Sequence, residues 1–175
     1  MSRPGYVYHL REPVGYEDGW SMQRNLADAV LRGAMPDTVL LLEHAPVITL
    51  GRRTEPGELH VPNGAEVEIV ETDRGGKSTY HGPGQLVCYP ILDLTRHGKD
   101  VRRYVRELEE AIVRTLAPFG LEATTIEGLT GVWMPIEPIF RGGPSTQIPV
   151  RPSIRVASTP SGVSVRISAS STSRQ

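Results

Sequence analysis

The sequence predicts an α+β fold, a sandwich in which sheet and helices form separate layers. Two observations carry this prediction. Short strand signals follow one another through hairpin-like connections, and only two long segments have the apolar spacing of amphipathic helices, so the regular strand–helix alternation of a doubly wound sheet is missing. The 175 residues are enough for one domain with a sizeable core.

The first 50 residues contain three strand signals and one helix. Residues 6–10 form a short apolar strand, and residues 16–32 then place apolar side chains close to helical spacing until Gly33 ends the helix. The valine and leucines within residues 38–43 predict a buried strand. Residues 47–50 continue as another strand after a proline.

The second half contains the clearest helix. Asp100 can cap a helix that runs to about residue 117, whose apolar side chains are spaced by three and four. The charged residues between them, Glu109 among them, are predicted to form its solvated face. Residues 121–126 and 130–134 then indicate two short strands around a turn.

A glycine-rich polar segment, residues 73–85, lies between strand signals at residues 67–72 and 86–92. Its glycines allow positive φ angles and close approach of the backbone to a ligand, and polar loops on rigid scaffolds often carry function. We therefore expect a well-ordered connection between adjacent strands, with its polar groups hydrogen-bonded. The candidate ligand-binding residues are Arg74, Gly75, Gly76, Lys77, Ser78, Thr79, Tyr80, His81, Gly82, Gly84 and Gln85.

The glycines of this segment do not form a nucleotide phosphate loop. The sequence has no G-x-x-x-x-G-K-[ST], and no G-x-G-x-x-G opens a helix here, because Pro83 and an apolar strand follow instead. A loop with a purely structural role stays open as the alternative.

From Arg74 to Gln85 the segment reads R-G-G-x-x-T-x-H-G-P-G-Q, which resembles the hallmark of the octanoyltransferases of lipoate biosynthesis. We call residues 73–85 the hallmark loop. The resemblance continues upstream through L-L-L-E-H-A-P-V-I-T and G-R, and downstream through G-V-W, so that it covers about residues 5–135. It implies the fold of the lipoate and biotin protein ligases, a mixed sheet with helices packed on it.

The resemblance implies an acyltransferase that moves an octanoyl group from acyl carrier protein to a lysine of a lipoyl domain. The acceptor would belong to a 2-oxoacid dehydrogenase complex or be the glycine cleavage H protein. No cofactor is implied. The hallmark loop would line the acyl pocket and place the imidazole of His81 near the reacting groups, while Gly75, Gly76 and Gly84 would leave room for the fatty chain.

Two further candidate residues lie upstream of the hallmark loop. His44 stands at the end of a predicted strand. Arg52 stands where the family has an arginine that helps to shape the acyl or carrier-protein side of the cleft. The alternative for Arg52 and its neighbour Arg53 is a solvated surface pair.

The catalytic pair that the resemblance implies has no counterpart in this sequence. The family uses a cysteine that carries the octanoyl thioester and a lysine that lowers the pKa of that cysteine. After Trp133 the motifs that hold them are absent: no lysine follows Lys99, and the one cysteine, Cys88, precedes it. Cys88 lies in an apolar run, and Lys77 occupies a variable position of the hallmark. We therefore identify no catalytic residue and expect no acyl-enzyme.

The composition changes abruptly from residue 141 onward. Serine, threonine and arginine dominate there, with no aromatic and no acidic residue. The sequence predicts an octanoyltransferase-like domain over residues 1–135, incomplete relative to the family, and a mostly disordered tail over residues 136–175, although residues 154–156 and 163–166 alternate like short strands. A change of reading frame near residues 135–150 would explain the missing motifs and the new composition together.

Composition excludes several other classes of protein. The net charge of −1 and the absence of long apolar runs argue against nucleic-acid and membrane partners, and we expect a cytoplasmic protein. No cysteine and histidine spacing predicts a metal site. Two other functions stay open: an ATP-dependent lipoate-protein ligase of the same fold, disfavoured by the H-G-P-G-Q form of the loop, and a non-catalytic acyl-binding protein, favoured by the missing lysine and cysteine.

Overall fold

A computed structural model of the chain describes residues 4–55, 57, 59, 61, 66–136, 146–159 and 162–171, the last of these from residue 135 onward by their backbone. Within these ranges the chain forms two long helices, two short 3₁₀ turns and ten strands. In chain order they are β1 (Tyr6–His9), α1 (Tyr16–Leu31), β2 (Thr38–Leu42), β3 (Val47–Leu50), β4 (Glu68–Glu71), β5 (Thr79–His81), β6 (Val87–Ile91), a 3₁₀ turn (Leu94–His97), α2 (Val101–Leu116), a second 3₁₀ turn (Ala117–Phe119), β7 (Thr124–Ile126), β8 (Leu129–Ile136), β9 (Thr146–Thr159) and β10 (Gly162–Ser171).

The strands form three sheets, and two of them mix parallel and antiparallel pairs. In the first sheet, with the order β1-β2-β6, β1 runs parallel and β6 antiparallel to β2. In the second, with the order β4-β3-β5, β4 runs parallel and β5 antiparallel to β3. The third sheet has the order β10-β9-β8-β7 and is antiparallel. These mixed sheets with two long helices confirm the predicted α+β fold.

The core lies on one face of the first sheet and at the end of β6. On one face Tyr89 and Val87 of β6 pack with Leu40 and Leu42 of β2, and Leu26 of α1 covers them. Further along the same face, Ile91 of β6 packs against Ala27 and Val30 of α1. At the end of the sheet, Leu94 packs against Tyr104 of α2. Helix α1 therefore closes one side of β6, and α2 lies beyond it.

Helix α2 begins where the sequence predicts. The Asp100 carboxylate accepts a hydrogen bond of 2.9 Å from the backbone N–H of Arg103, which satisfies a donor that the first turn leaves unpaired. The prediction for Glu109 was wrong. Its side chain is buried and accepts a 2.6 Å bond from the backbone N–H of Gly131 in β8, so it joins α2 to the third sheet.

The hallmark loop is not the simple connection between adjacent strands that the sequence predicts. It contains the short strand β5, and it passes from the second sheet, where β4 and β5 flank β3, to β6 of the first sheet. Its backbone also pairs with the segment after β3, since the N–H of Arg52 donates to the carbonyl oxygen of Arg74 over 3.0 Å. The loop therefore connects the two sheets that carry the candidate residues.

In the predicted disordered tail the structure instead has the paired strands β9 and β10. Residues Val156 and Val165 stand opposite each other, as do Ile154 and Ile167. The physical reason is the local alternation of β-branched with polar residues in both segments, which suits a strand when a partner strand is present. The division of the chain at residue 135 stays a prediction.

Candidate functional site

Four aromatic and imidazole side chains come together beside the hallmark loop. His44 lies two residues after the end of β2 and His81 ends β5, and their ring centroids lie 5.5 Å apart. Tyr16, the first residue of α1, lies 5.2 Å from His44 and 6.3 Å from His81, and Tyr89 of β6 lies 5.9 Å from His44. We call these four residues the imidazole cluster. The fold thus brings two sequence-predicted candidates, 37 positions apart, to one place.

His44 is held by both of its ring nitrogens. Nδ1 donates to the carbonyl oxygen of Val14 over 3.0 Å, so in the neutral ring Nε2 accepts from the Tyr89 hydroxyl over 2.8 Å. Burial lowers the pKa of His44, although the bond to Val14 opposes this shift. A side chain at Gly19 would place its Cβ only 2.7 Å from Cε1 of His44. The imidazole therefore fits only because this turn of α1 carries glycine.

His81 is 3% exposed, and Gln85 of the same loop fixes its ring. Its Nδ1 donates to Oε1 of Gln85 over 2.6 Å. Burial lowers the pKa of His81 to about 4, with further lowering by His44 and Arg74 and an opposing effect of the bond to Gln85. At neutral pH the ring is therefore uncharged, and Nε2 carries a lone pair that can accept a proton.

The residues between His81 and Gln85 form a tight turn. The N–H of Gln85 donates to the carbonyl oxygen of Gly82 over 3.2 Å, and Gly84 has a φ of 80°. Proline at the second position and a left-handed glycine at the third are the signature of a type II turn, as the order Gly82-Pro83-Gly84-Gln85 provides. The Glu43 carboxylate accepts a 2.9 Å bond from the N–H of Gly84.

Arg74 is buried and holds the hallmark loop together. Its guanidinium donates to the carbonyl oxygen of Thr49 over 2.6 Å, to Oγ1 of Thr49 over 2.7 Å and to the carbonyl oxygen of Lys77 over 2.7 Å. These bonds join the loop to β3 from within. Arg74 is therefore a structural cross-link of the hallmark loop. Its expected role in binding a ligand stays a prediction.

The other candidates of the hallmark loop surround this cross-link. Lys77, Ser78 and Tyr80 are exposed, and Thr79 is half-buried in β5. Gly76 has a φ of 86°, which favours glycine, whereas a Cβ at Gly75 would meet no atom within 4 Å. Gly75 is exposed, and its role in leaving room for a ligand stays a prediction.

Two glycines pack tightly at this site. A Cβ at Gly51 would lie 2.4 Å from the carbonyl oxygen of Gly76, so the glycine directly after β3 lets the hallmark loop approach. A Cβ at Gly82 would lie 2.6 Å from the ring of Tyr80. Arg52 and Arg53 follow Gly51 with exposed side chains. The fold places them at the rim of the hallmark loop and outside the imidazole cluster.

Cys88 lies on the other face of β6. Successive side chains of a strand point to opposite faces, so Cys88 faces away from Val87 and Tyr89, and Tyr89 is the residue that bonds His44. Burial raises the pKa of the Cys88 thiol. The titratable group that Cys88 affects is Tyr104 of α2. The pKa of Tyr104 is raised mainly by burial and further by Cys88 and Asp37. The one cysteine therefore does not belong to the imidazole cluster.

Sequence reasoning missed several residues of the site. Tyr16 looks like an ordinary first residue of a helix, and Tyr89 looks like one apolar residue in a buried strand. Thr49, which is buried, and Glu43, which is half-buried, lie in the upstream motif, but the motif did not indicate that they bond the hallmark loop. Only the alternation of β6, which groups Tyr89 with Val87 and Ile91, could have indicated which face Tyr89 occupies.

The described residues provide no group of three histidine, cysteine, aspartate or glutamate side chains that could hold a metal ion. Among the described helices none combines the length and the apolar character needed to cross a membrane.

The architecture and the site define an α+β domain of the lipoate ligase type. A model of the family described as the lipoyl protein ligase A/B catalytic domain matches residues 15–174, and the chain therefore belongs to this family. The match extends past residue 135, where the motif resemblance was expected to stop.

Individual relatives carry the name octanoyltransferase. The one from Chloroflexus aggregans is 50% identical over 133 residues, which are 73% of this chain and 59% of that protein. The one from Mycobacterium leprae is 52% identical over 122 residues, covering 70% of this chain and 51% of that protein. This chain thus spans less than two thirds of the length of these curated relatives.

Solved structures agree in fold. A bipartite lipoate protein ligase from Thermoplasma acidophilum matches with a TM-score of 0.58 and 20% identity, over 94% of this chain and 60% of that chain. A lipoate-protein ligase A bound with ATP matches with a TM-score of 0.57 and 18% identity, over 95% and 66%. At such identities the likeness concerns the fold alone, and it confirms the predicted architecture.

Proposed function

We propose that this chain is of the octanoyltransferase type, acting in lipoate biosynthesis in the cytoplasm. The observation that carries the proposal is the identity of 50% over 133 residues to a curated octanoyltransferase. Residues 1–135 would form the octanoyltransferase-like domain. The donor would be octanoyl acyl carrier protein, and the acceptor a lysine of a lipoyl domain, in a 2-oxoacid dehydrogenase complex or in the glycine cleavage H protein.

The net reaction replaces a thioester by an amide. A bond forms between the lysine nitrogen of the acceptor and the acyl carbon, the bond from that carbon to the carrier sulfur breaks, and the proton released by the amine ends on the sulfur. A neutral imidazole can accept and return such a proton. His81 would take this part because its ring is neutral at pH 7 and Gln85 holds its Nδ1–H, which leaves the lone pair of Nε2 as the acceptor. Its pKa of about 4 also makes it a weak base.

The hallmark loop would bind the acyl chain. Gly75 leaves open space beside the loop, and Arg74 keeps the loop closely joined to β3. Exposed Arg52 and Arg53 at the rim would contact the carrier side, since two cations suit a partner with phosphate or carboxylate groups. The acyl donor would therefore approach from the rim toward His81.

Cys88 would not carry the acyl group. It faces away from the side of β6 that bonds His44, and burial raises the pKa of its thiol, so that little thiolate is present at neutral pH. The chain described here would supply the acyl-binding side of the site without forming the acyl-enzyme through its own cysteine.

The test is a mass-spectrometric assay of the full chain with octanoyl acyl carrier protein and an apo lipoyl domain. An octanoylated lipoyl domain, with donor binding that is weakened by Arg52→Ala with Arg53→Ala but unchanged by Arg11→Ala, would support the proposal. Arg11 provides a matched control because it is also an exposed arginine.

Three outcomes would overturn the proposal. Transfer from free octanoate or lipoate only when ATP is present would assign the chain to the ligases. Absence of binding to octanoyl acyl carrier protein in a folded chain would remove the proposed donor. Donor binding without transfer leads to the acyl-binding alternative, in which the same site is kept and the covalent step is lost.

A further inference from the structure

We infer that Glu43 is a positioning residue for His81, acting through the turn from Gly82 to Gln85. The inference deepens the proposed function, since His81 belongs to the site proposed to take the octanoyl group. Glu43 is outside the hallmark loop, 41 positions from Gly84, yet its Oε2 accepts the Gly84 N–H over 2.9 Å.

Glu43 is itself held in place by its backbone. The N–H of Val14 donates to the carbonyl oxygen of Glu43 over 2.9 Å, and the N–H of Ala45 donates to the carbonyl oxygen of Val14 over 3.0 Å. The same Val14 oxygen accepts the Nδ1–H of His44. Residues Glu43 and His44 therefore start from one fixed piece of backbone, at the end of β2.

From this piece of backbone both imidazoles receive their orientation by different routes. His44 is bonded directly to Val14. His81 is oriented through three hydrogen bonds. The Glu43 carboxylate accepts the Gly84 N–H, the Gln85 N–H closes the turn by donating to the Gly82 carbonyl oxygen, and the Gln85 side chain accepts the Nδ1–H of His81. In a neutral imidazole, the nitrogen that donates a hydrogen bond keeps the proton. Nδ1 of His81 therefore keeps its proton, and Nε2 is the proton acceptor.

The charged and titratable groups that act on the pKa of His81 do not provide a substitute for this route. The groups that act on its charge are Gln85 from its own loop, His44 after β2 and Arg74 from the start of the loop. Arg74 has no acceptor atom, and the nitrogens of His44 are bonded to Val14 and Tyr89. If the turn moves and Gln85 withdraws, neither of these neighbours can accept the Nδ1–H of His81.

Nuclear magnetic resonance of the ¹⁵N-labelled full chain tests the inference without any substrate. At pH 7 the long-range ¹H–¹⁵N correlations of His81 should show the Nδ1–H tautomer, and the Gly84 amide should exchange slowly with solvent. Glu43→Ala should speed exchange of the Gly84 amide by about tenfold, as expected for loss of one bond to a charged acceptor, and His81 should become a mixture of tautomers. Glu43→Gln should restore both properties, because its Oε1 can still accept.

Two matched variants separate the steps. Glu71→Ala removes an exposed carboxylate from β4 and should change neither property. Gln85→Ala should abolish the tautomer preference of His81 and keep the protection of the Gly84 amide, since the bond from Gly84 to Glu43 remains.

Several results would overturn the inference. They are an unprotected Gly84 amide in the unchanged protein, an unaltered His81 tautomer in folded Glu43→Ala, or a failure of Glu43→Gln to restore the tautomer. Should Glu43→Ala not fold, the first and third measurements still decide. None of these results depends on octanoyl transfer, so a failure of the proposed function would be seen separately.

Discussion

The two faces of β6 differ in the hydrogen bonding of their polar side chains. On the face toward α1, the Tyr89 hydroxyl bonds His44, and His44 in turn bonds the backbone of Val14. On the other face, Cys88 lies near Tyr104 of α2, and the Tyr104 hydroxyl has no hydrogen-bond partner among the described residues.

This difference shows that position decides which titratable groups can take part in chemistry. Burial lowers the pKa of His81 and leaves it as a neutral base with an oriented ring, because Gln85 holds one nitrogen. Burial raises the pKa of Cys88 and leaves it as a neutral thiol. Burial disfavours the charged form of both groups, and the difference is that Gln85 orients the ring of His81.

Removing the Arg74 cross-link of the hallmark loop should have the largest effect on stability. Arg74→Ala deletes the bonds to Thr49 and to the Lys77 carbonyl and leaves buried acceptors unpaired, so the free energy of unfolding should fall by about 4 kcal/mol. Arg52→Ala, at an exposed arginine, should change it by less than about 0.5 kcal/mol. Urea unfolding of both variants measures this. Equal effects would mean that Arg74 is not the support of the loop.

Protonation of His81 should have the next largest effect on stability. The pKa of His81 is about 4 in the folded chain against 6.5 when unperturbed, so between these values the unfolded chain binds more protons. Stability is therefore complete above pH 6.5 and is lost as the pH falls toward 4, by about 3 kcal/mol from His81. Denaturant unfolding from pH 7.5 to 4 should show this slope, and His81→Gln should reduce it while His9→Gln, at an exposed histidine, should not. An unchanged slope in His81→Gln would contradict the assignment.

Crowding the approach of the hallmark loop to β3 should have a smaller effect. A Cβ at Gly51 meets the Gly76 carbonyl oxygen at 2.4 Å, so Gly51→Ala should destabilise the fold by about 2 kcal/mol. Gly75→Ala should leave stability unchanged, because a Cβ there meets no atom within 4 Å. Thermal unfolding compares the two variants. If Gly75 lines the acyl site, its variant should weaken octanoyl binding without a loss of stability.

Changes on the other face of β6 should have the smallest effect on the site. Incubation with octanoyl acyl carrier protein should leave no hydroxylamine-sensitive adduct on Cys88, and Cys88→Ser should retain donor binding, because Cys88 faces away from His44. Intact-mass spectrometry with peptide mapping provides the measurement. An octanoyl adduct on Cys88, with transfer to a lipoyl domain that Cys88→Ser abolishes, would reverse the comparison of the two faces.

Local patterns predicted much of the fold. The spacing of apolar residues and the Asp100 cap located α2, and the valine and leucine run located β2, since these signals depend on neighbours in sequence. The hallmark motif likewise located His81 and Gln85. These parts of the site are contiguous in the chain, so one sequence motif is sufficient to find them.

The rest depends on partners that are distant in sequence. The three residues of β5 become a strand only by pairing with β3. Glu109 is buried because it accepts a hydrogen bond from the Gly131 N–H, which is 22 positions away in the sequence. Tyr16 and Tyr89 join the imidazole cluster only when α1 and β6 pack together. No local period distinguishes such residues from ordinary members of a helix or strand.

The turn that contains Pro83 and Gly84 also affects the entropy of binding. Proline fixes φ before the chain folds, and the left-handed φ of 80° at Gly84 is accessible to glycine without strain. Ordering one residue at the moment of ligand binding would cost about 1–2 kcal/mol in backbone entropy. Here the backbone beside His81 loses that freedom on folding, so the affinity for a ligand is not reduced by ordering this part of the loop.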